Sequence, residues 1–311
     1  MKSSLRHLRH FATRQRGFTL VEAIVVMVVT GILAGIMVLF IRRPVQNYTD
    51  AAARAELTDA ADLALRRMAR ELRSALPNSV RLTVNNGVWW LEFIPTISGG
   101  RYLSVEANTV NGTPLSFTNP VAAPFHVVGP MPTPALTFSP AGANNYIVIY
   151  NLGPGFSNVG ADAYFRDNLA RVTNANPGDR TISYERYKDG DAPGNKINPF
   201  ASTNPNTSPG QRFQVVTEPV TFRCQGLANG RGTLTRSVAA NFLAVQPTPT
   251  AAAGNLMANN VVACNFSVNG FGTQQSSLIG LNLALGRPDI NGGNAVETIT
   301  LTHQVQVDNT P

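Results

Sequence analysis

From Phe18 to Ile41 this chain is apolar or small at every position except Thr19, Glu22 and Thr30. The run is 24 residues long. At about 1.5 Å per residue, a helix of that length crosses the ~30 Å hydrocarbon core of a bilayer with a little to spare. A cleavable secretory signal has an apolar region of about 7–15 residues and is cut beyond it, beside small residues. Ala34-Gly35 would supply such a site, yet the run continues through Ile36-Met37-Val38-Leu39-Phe40-Ile41. The segment is therefore expected to stay on the mature chain as a membrane-spanning helix. Glu22 is out of place in it. A carboxylate in a membrane helix costs about 2.5–3.5 kcal/mol at mid-bilayer and less near the interface, so it is a functional residue by default and needs a cation.

The preceding residues offer one. A basic leader, with Lys2, Arg6, Arg9, Arg14 and Arg16, stops at Gly17. If the chain is cut between Gly17 and Phe18, Phe18 becomes an amino terminus. Glu22 then sits one helical turn away, about 6 Å along the axis. Within one helix the two groups screen each other; between staggered copies, Glu22 of one subunit neutralises the amine of the next. The junction Arg16-Gly17-Phe18-Thr19-Leu20-Val21-Glu22 resembles the class III signal of type IV prepilins and type II secretion pseudopilins. The resemblance implies that a prepilin peptidase cuts after Gly17 and methylates Phe18, and that Glu22 serves assembly. An uncleaved signal anchor that contains a glutamate is the plainer alternative.

The net charge of +7 is largely the leader's, which holds five positive side chains, leaving about +2 on the rest (7 − 5). The basic pI is thus no nucleic-acid footprint, and no nucleic-acid partner is expected. The same charges hold the N-terminus in the cytoplasm and send the C-terminal bulk across the inner membrane, Arg42-Arg43 on the far side being outnumbered. In a translocated domain, Cys224 and Cys264 are expected to form a disulfide. It would close a loop of about 40 residues, worth roughly 4 kcal/mol on the chain-entropy account. Two separate buried thiols are the other reading.

Residues 45–76 read as an amphipathic stem helix. Leu57, Ala61, Leu65, Met68, Leu72 and Leu76 recur at helical spacing on one face. Asp50/Arg54, Asp62/Arg66 and Arg67/Glu71 are i, i+4 pairs on the wet side. Pro77-Asn78-Ser79 is expected to stop the helix, and Pro44 to kink or restart it. From Val80 the pattern turns to strands. Residues 80–84 and 88–94, around Asn85-Asn86-Gly87, read as a hairpin. Further strands are expected at 101–106, 145–151, 181–187, 212–223, 232–238, 260–268, 278–285 and 296–307, with long loops at 107–144, 152–180, 188–211 and 246–259. The fold class expected is α+β, pilin-like: a long N-terminal membrane-spanning helix, kinked near Pro44, continues into an amphipathic stem packed on a β-rich head. Its parts are a leader at 1–17, a membrane helix at 18–41, a stem at 42–79 and one head at 80–311.

Chemistry-bearing constellations are sparse. Beyond the leader only His126 and His303 remain, neither in a metal-ligand spacing. No nucleophile elbow, phosphate loop or carboxylate pair stands out, so no enzyme, cofactor or metal site is expected. Asp189 and Asp191 lie in an oxygen-rich segment that fails the EF-hand spacing, and a solvated turn is the better reading. Gly31 and Gly35 are spaced for close helix approach. Trp89 and Trp90 alternate across a strand, one facing the core and the other an interface or the stem.

Three further stretches, Arg67 through Arg81, Val220-Thr221-Phe222-Arg223-Cys224 and His303 through Asn309, resemble the MshO-type minor pilins of the mannose-sensitive haemagglutinin pilus, which are similar to the PilW and J-type pseudopilins. Residues 95–210 carry no such motif. The resemblance implies a Gram-negative subunit with a single pass through the inner membrane and a periplasmic head. It implies priming or capping of a pilus together with other minor and major pilins, near the fibre tip. The apolar run lacks the proline that many major pilins carry in its later half, and Glu22 argues against a K-type tip role. A J-type pseudopilin of a type II secretion system is the rival within the class. A membrane-anchored periplasmic binding domain is the rival outside it.

Overall fold

The structure is a computed structural model. It describes residues 17–105, 112–136, 145–188, 194, 196–202, 206–249, 254–269, 275–288, 293–295 and 297–311, with the backbone alone at 39 and 41–46. The leader residues 1–16 and the Asp189/Asp191 segment lie outside the described residues. The chain divides into two compact units, Met1–Ala53 and Arg54–Pro311. One helix, α1 (Leu20–Leu72), runs from the first into the second.

In the first unit, α1 opens on a cap. The Thr19 hydroxyl accepts the Glu22 backbone N–H at 3.3 Å, and the Thr19 carbonyl accepts the Ala23 N–H. Thr-x-x-Glu is the capping-box spacing, of which the Thr half is formed and satisfies one amide of the first turn. Leu20–Val38 is long and apolar enough to cross a membrane, and none of it is buried. The Thr30 hydroxyl donates to the carbonyls of Val26 and Met27, so this polar group is satisfied inside the helix. The helix runs through Pro44 without a break, against the expected restart. A proline removes one N–H donor, and a long apolar and alanine-rich sequence on either side carries the helix across it.

In the second unit, the predicted face of α1 is the buried one. Leu57, Ala61, Ala64, Leu65, Met68, Ala69 and Leu72 all join one core with the sheet. The helix ends at Leu72, four residues before the expected stop, because the next residues are taken up by the sheet: Ala75 bridges Pro95, and the Leu76 N–H donates to Ile94. The sheet contains β1 (Arg81–Asn85), β2 (Val88–Phe93), β9 (Val220–Gln225), β10 (Gly232–Val238), β11 (Asn255–Asn269), β12 (Ser276–Arg287) and β13 (Glu297–Asp308), antiparallel in that order. The β1–β2 hairpin turns on Asn86 and Gly87, both at positive φ (50° and 75°), the pair of values a tight two-residue turn demands. Alternation sorts β9: Val220, Phe222 and Cys224 join the helix-side core while Thr221 and Arg223 take the opposite face.

Between β2 and β9, which are neighbours in the sheet, the chain makes a closed six-stranded barrel. Its strands are β3 (Thr96–Tyr102), β4 (Phe125–Val128), β5 (Tyr146–Val148), β6 (Leu169–Asn176), β7 (Thr181–Arg186) and β8 (Arg212–Val216), in the order β3-β4-β7-β6-β5-β8. A core of aliphatic side chains and the rings of Tyr102, Phe125, Tyr184, Phe200 and Phe213 fills it. Gly100 is required there, since a Cβ would lie 2.7 Å from the Phe213 ring. Five expectations are corrected, four by the barrel and one by the sheet. The strand expected at 212–223 is two, split at Thr217-Glu218-Pro219, because Pro219 cannot donate to a ladder. The loops expected at 107–144 and 152–180 contain β4 and β6, and the loop at 246–259 contains the start of β11. The strand expected at 101–106 begins at Thr96 and ends at Tyr102. The head contains two β assemblies, a sheet on a helix and a barrel inserted in it.

Candidate functional site

The N-terminal junction is the first candidate. Phe18, Thr19 and Glu22 are exposed at the start of α1. Among the described residues the Glu22 carboxylate makes no hydrogen bond or ion pair, while the hydroxyls of Thr19 and Thr30 are both satisfied locally. Gly31 and Gly35 lie one turn apart with open space where a Cβ would stand, so a second helix can approach closely there.

The head holds the second. Cys224 of β9 and Cys264 of β11 form a disulfide with Cα atoms 6.3 Å apart, inside the helix–sheet core. On the wet side of α1, Arg66 pairs with Asp62 at 2.6 Å and Arg67 with Glu71 at 3.1 Å. Glu71 also receives Arg236 of β10 at 2.7 Å, and Arg54 pairs with Glu297 of β13, so two ion pairs tie helix to sheet. Arg66, Arg70 and Arg73 remain exposed. Trp90 is buried, whereas Trp89 is half-buried against the helix–sheet core, edge-on to Phe266 at 6.1 Å.

The three head stretches singled out in the sequence meet around the end of α1. The Asn78 amide and side chain donate to Asn309, each at 3.2 Å. Arg81 donates to Glu92 from Nε at 3.0 Å, and Thr221 donates to the other Glu92 oxygen at 3.0 Å. Arg81 also donates to the carbonyls of Leu243 and Ala244, both at 2.9 Å, and its guanidinium lies 3.6 Å from the centre of the Tyr164 ring. The Tyr164 hydroxyl donates to the Ser79 carbonyl at 2.8 Å, and Asn151 donates to Pro77 at 2.7 Å. These last two come from the inserted barrel region and tie it to the segment between α1 and β1. Burial, with the Glu92 charge behind it, pushes the Tyr164 hydroxyl well above its ordinary value, so it stays a donor. Burial likewise raises the Asp162 carboxyl, against hydrogen bonds from the Tyr164 and Phe165 amides and the charge of Arg81.

Sequence reasoning missed Thr19, Glu92 and Tyr164. The first two had signals. Thr19 stands three residues before Glu22. Glu92 is the lone acid of an apolar strand, and a turn at 86–87 sets it opposite Arg81. Tyr164 had none, since it reaches the network from the insertion.

A small cleft in the barrel region is lined by Phe117, Ile149, Asp167, Asn168, Phe200 and Asn206 among others. Burial raises the Asp167 carboxyl, and Lys188 at 3.6 Å opposes that shift. The Asn168 amide is spent on the carbonyls of Ile149 and Tyr150. Among the described residues no three His, Cys, Asp or Glu side chains gather as metal ligands. His126 accepts the Thr113 amide at 2.7 Å, and His303 sits half-buried in β13.

No curated protein and no solved structure matches the chain. Residues 12–38 match the family described as the prokaryotic N-terminal methylation motif, a stretch that takes in Gly17, Phe18, Glu22, Gly31, Gly35 and the exposed apolar helix to Val38. The chain thus carries, at its N-terminus, the segment of a type IV pilin-like protein.

Proposed function

We propose that this chain is a minor pilin, or pseudopilin, that co-assembles with other minor subunits to prime or cap a type IV pilus of the mannose-sensitive haemagglutinin type. The observation that carries this reading is the Gly17-Phe18 junction followed by an unpartnered Glu22 on a fully exposed apolar helix. Such a helix leaves lipid only if other helices rebury it, and its carboxylate leaves with it only if a cation is waiting. A prepilin peptidase cuts after Gly17 and methylates Phe18. The head is periplasmic while the subunit waits in the inner membrane of a Gram-negative cell, and it takes no cofactor and performs no catalysis. The minor-pilin subgroup is favoured by the sequence resemblance of the stretches at 67–81, 220–224 and 303–309. The rival is a J-type pseudopilin of a type II secretion system, and more distantly a membrane-anchored binding domain.

N-terminal sequencing of the mature chain tests the reading. The expected start is methylated Phe18, and Gly17→Leu should block processing while leaving insertion intact. An intact leader on wild-type protein, or normal processing of Gly17→Leu, overturns it.

A further inference from the structure

The two edges of the seven-stranded sheet differ in how they are finished. β1 is five residues long, and its Arg81 and Thr83 side chains are tied to Glu92 and to the crossing segment at 243–246. β13 is twelve residues long and pairs with β12 in unbroken register from Glu297 to Asp308. Among the described residues no backbone hydrogen bond reaches its other side. Residues 298–307 contain no proline, no lysine, no arginine and no bulge, the devices that normally blunt an edge. The flank beside it is unfinished too: Ile299 and Leu301 are only partly buried against the helix–sheet core, while Val305 and Val307 further along are fully buried.

We infer that β13 is a docking edge that takes an extended strand from the head of a neighbouring subunit as the eighth strand of the sheet; this rests on the reading of the chain as an assembling subunit. Another strand answers a row of open N–H and C=O groups along its whole length, where water and side chains answer them singly. The side chains state its chemistry. Thr298, Thr300, Thr302, Gln304 and Gln306 are exposed on the face away from the helix and carry no charge. Opposite them belong Thr, Ser, Asn or Gln. Ile299 and Leu301 call for apolar residues at the alternate positions, on the helix side. The incoming segment is thus proline-free and uncharged, with alternating apolar and hydroxyl or amide residues.

The test uses the full-length chain in cells that make its fibres, with recovery of the chain in sheared fibres as the readout. The pair Thr300→Lys and Thr302→Lys places charge along the edge on exposed side chains. It should lower recovery about tenfold, equivalent to about 1.4 kcal/mol of association. Processing at Gly17 and the head disulfide should stay as in wild type. Thr300→Val with Thr302→Val keeps a strand-favouring edge and should recover normally. So should Asn265→Lys, exposed on the same sheet face but two strands in from the edge. Should the lysine pair not accumulate, Gln304→Lys takes its place with the same expected direction. Wild-type recovery of the lysine variants overturns the proposal, as does an equal loss in Asn265→Lys, which would assign the effect to the face. A wild-type chain that is processed but absent from fibres instead overturns the reading on which the proposal rests.

Discussion

Leu20–Val38 and Leu57–Leu72 belong to one helix and meet their surroundings in opposite ways. Every described side chain of the first is exposed, around the whole circumference. In the second, the residues at helical spacing are buried to within a few per cent, and charged residues such as Asp62, Arg66 and Arg70 hold the other side. The second stretch has a polar face because it has one partner, the sheet. The first has no polar face because its surroundings are the same on all sides. Its stability in water is not an issue; its partner is lipid and then other helices. The many charges in the second serve solvation and local ion pairs, whereas the single carboxylate in the first has no partner among the described residues.

The comparison breaks most sharply at Glu22. Glu22→Val should leave insertion, processing and head stability unchanged. It should weaken subunit association by about 3–5 kcal/mol, the effect of removing one partner of an ion pair in a low-dielectric setting. Normal recovery of this variant in sheared fibres would remove Glu22 from assembly. The head, by contrast, should answer to its own bonds. Cys224→Ala with Cys264→Ala should lower its unfolding free energy by about 4 kcal/mol, read from the urea midpoint of the full-length chain in detergent. Within α1, Leu65→Ala should cost about 3 kcal/mol by the same measurement, and Ile32→Ala should not move the midpoint. Equal effects of the two would erase the distinction between the halves.

A smaller effect concerns pH. The raised Asp162 carboxyl contributes stability that is present below the ordinary carboxylate range and lost as pH rises through its folded-state value. At neutral pH the wild-type head carries that cost. Asp162→Asn should be as stable as wild type or slightly more so at pH 7, and the difference should vanish or reverse in acid. A variant less stable at every pH would place the value of Asp162 in its hydrogen bonds with the Tyr164 and Phe165 amides. Smallest of all, charge reversal at Arg66, Arg70 and Arg73 should weaken association with partner heads at low salt, with the loss fading as salt is added. No salt dependence would remove this face of α1 from the interface.

Much of this was legible. The buried face of α1 could be listed residue by residue, because burial repeats every 3.6 residues along a helix with a single partner. Asn86-Gly87 announced its turn, and the two cysteines their bond. The barrel was hidden. Thr96-Ile97-Ser98-Gly99-Gly100 carries no clear strand pattern, yet it opens β3, where Gly100 leaves room for the Phe213 ring. Phe125–Val128 and Leu169–Asn176 are short or polar-interrupted, and Phe117 and Phe200, which help to fill the core, come from loops. A run from 212 to 223 looked like one strand because each half alternates properly. That β8 pairs within the barrel and β9 within the sheet is a matter of partners, not of pattern.

By itself, the sequence determined the membrane-length apolar helix, the junction at Gly17 and Phe18, the misplaced Glu22 and the face of the stem. All of these rest on residues within a few turns of one another, where spacing and transfer free energy suffice. Tertiary structure alone decided that residues 96–216 stand as a closed insertion between adjacent strands β2 and β9. It alone brought Asn78, Glu92, Tyr164, Thr221 and Asn309 to the end of α1. Periodicity reports which side of an element is buried. It cannot report which distant strand supplies the backbone partners, because that choice is settled by closing every ladder in the molecule at once.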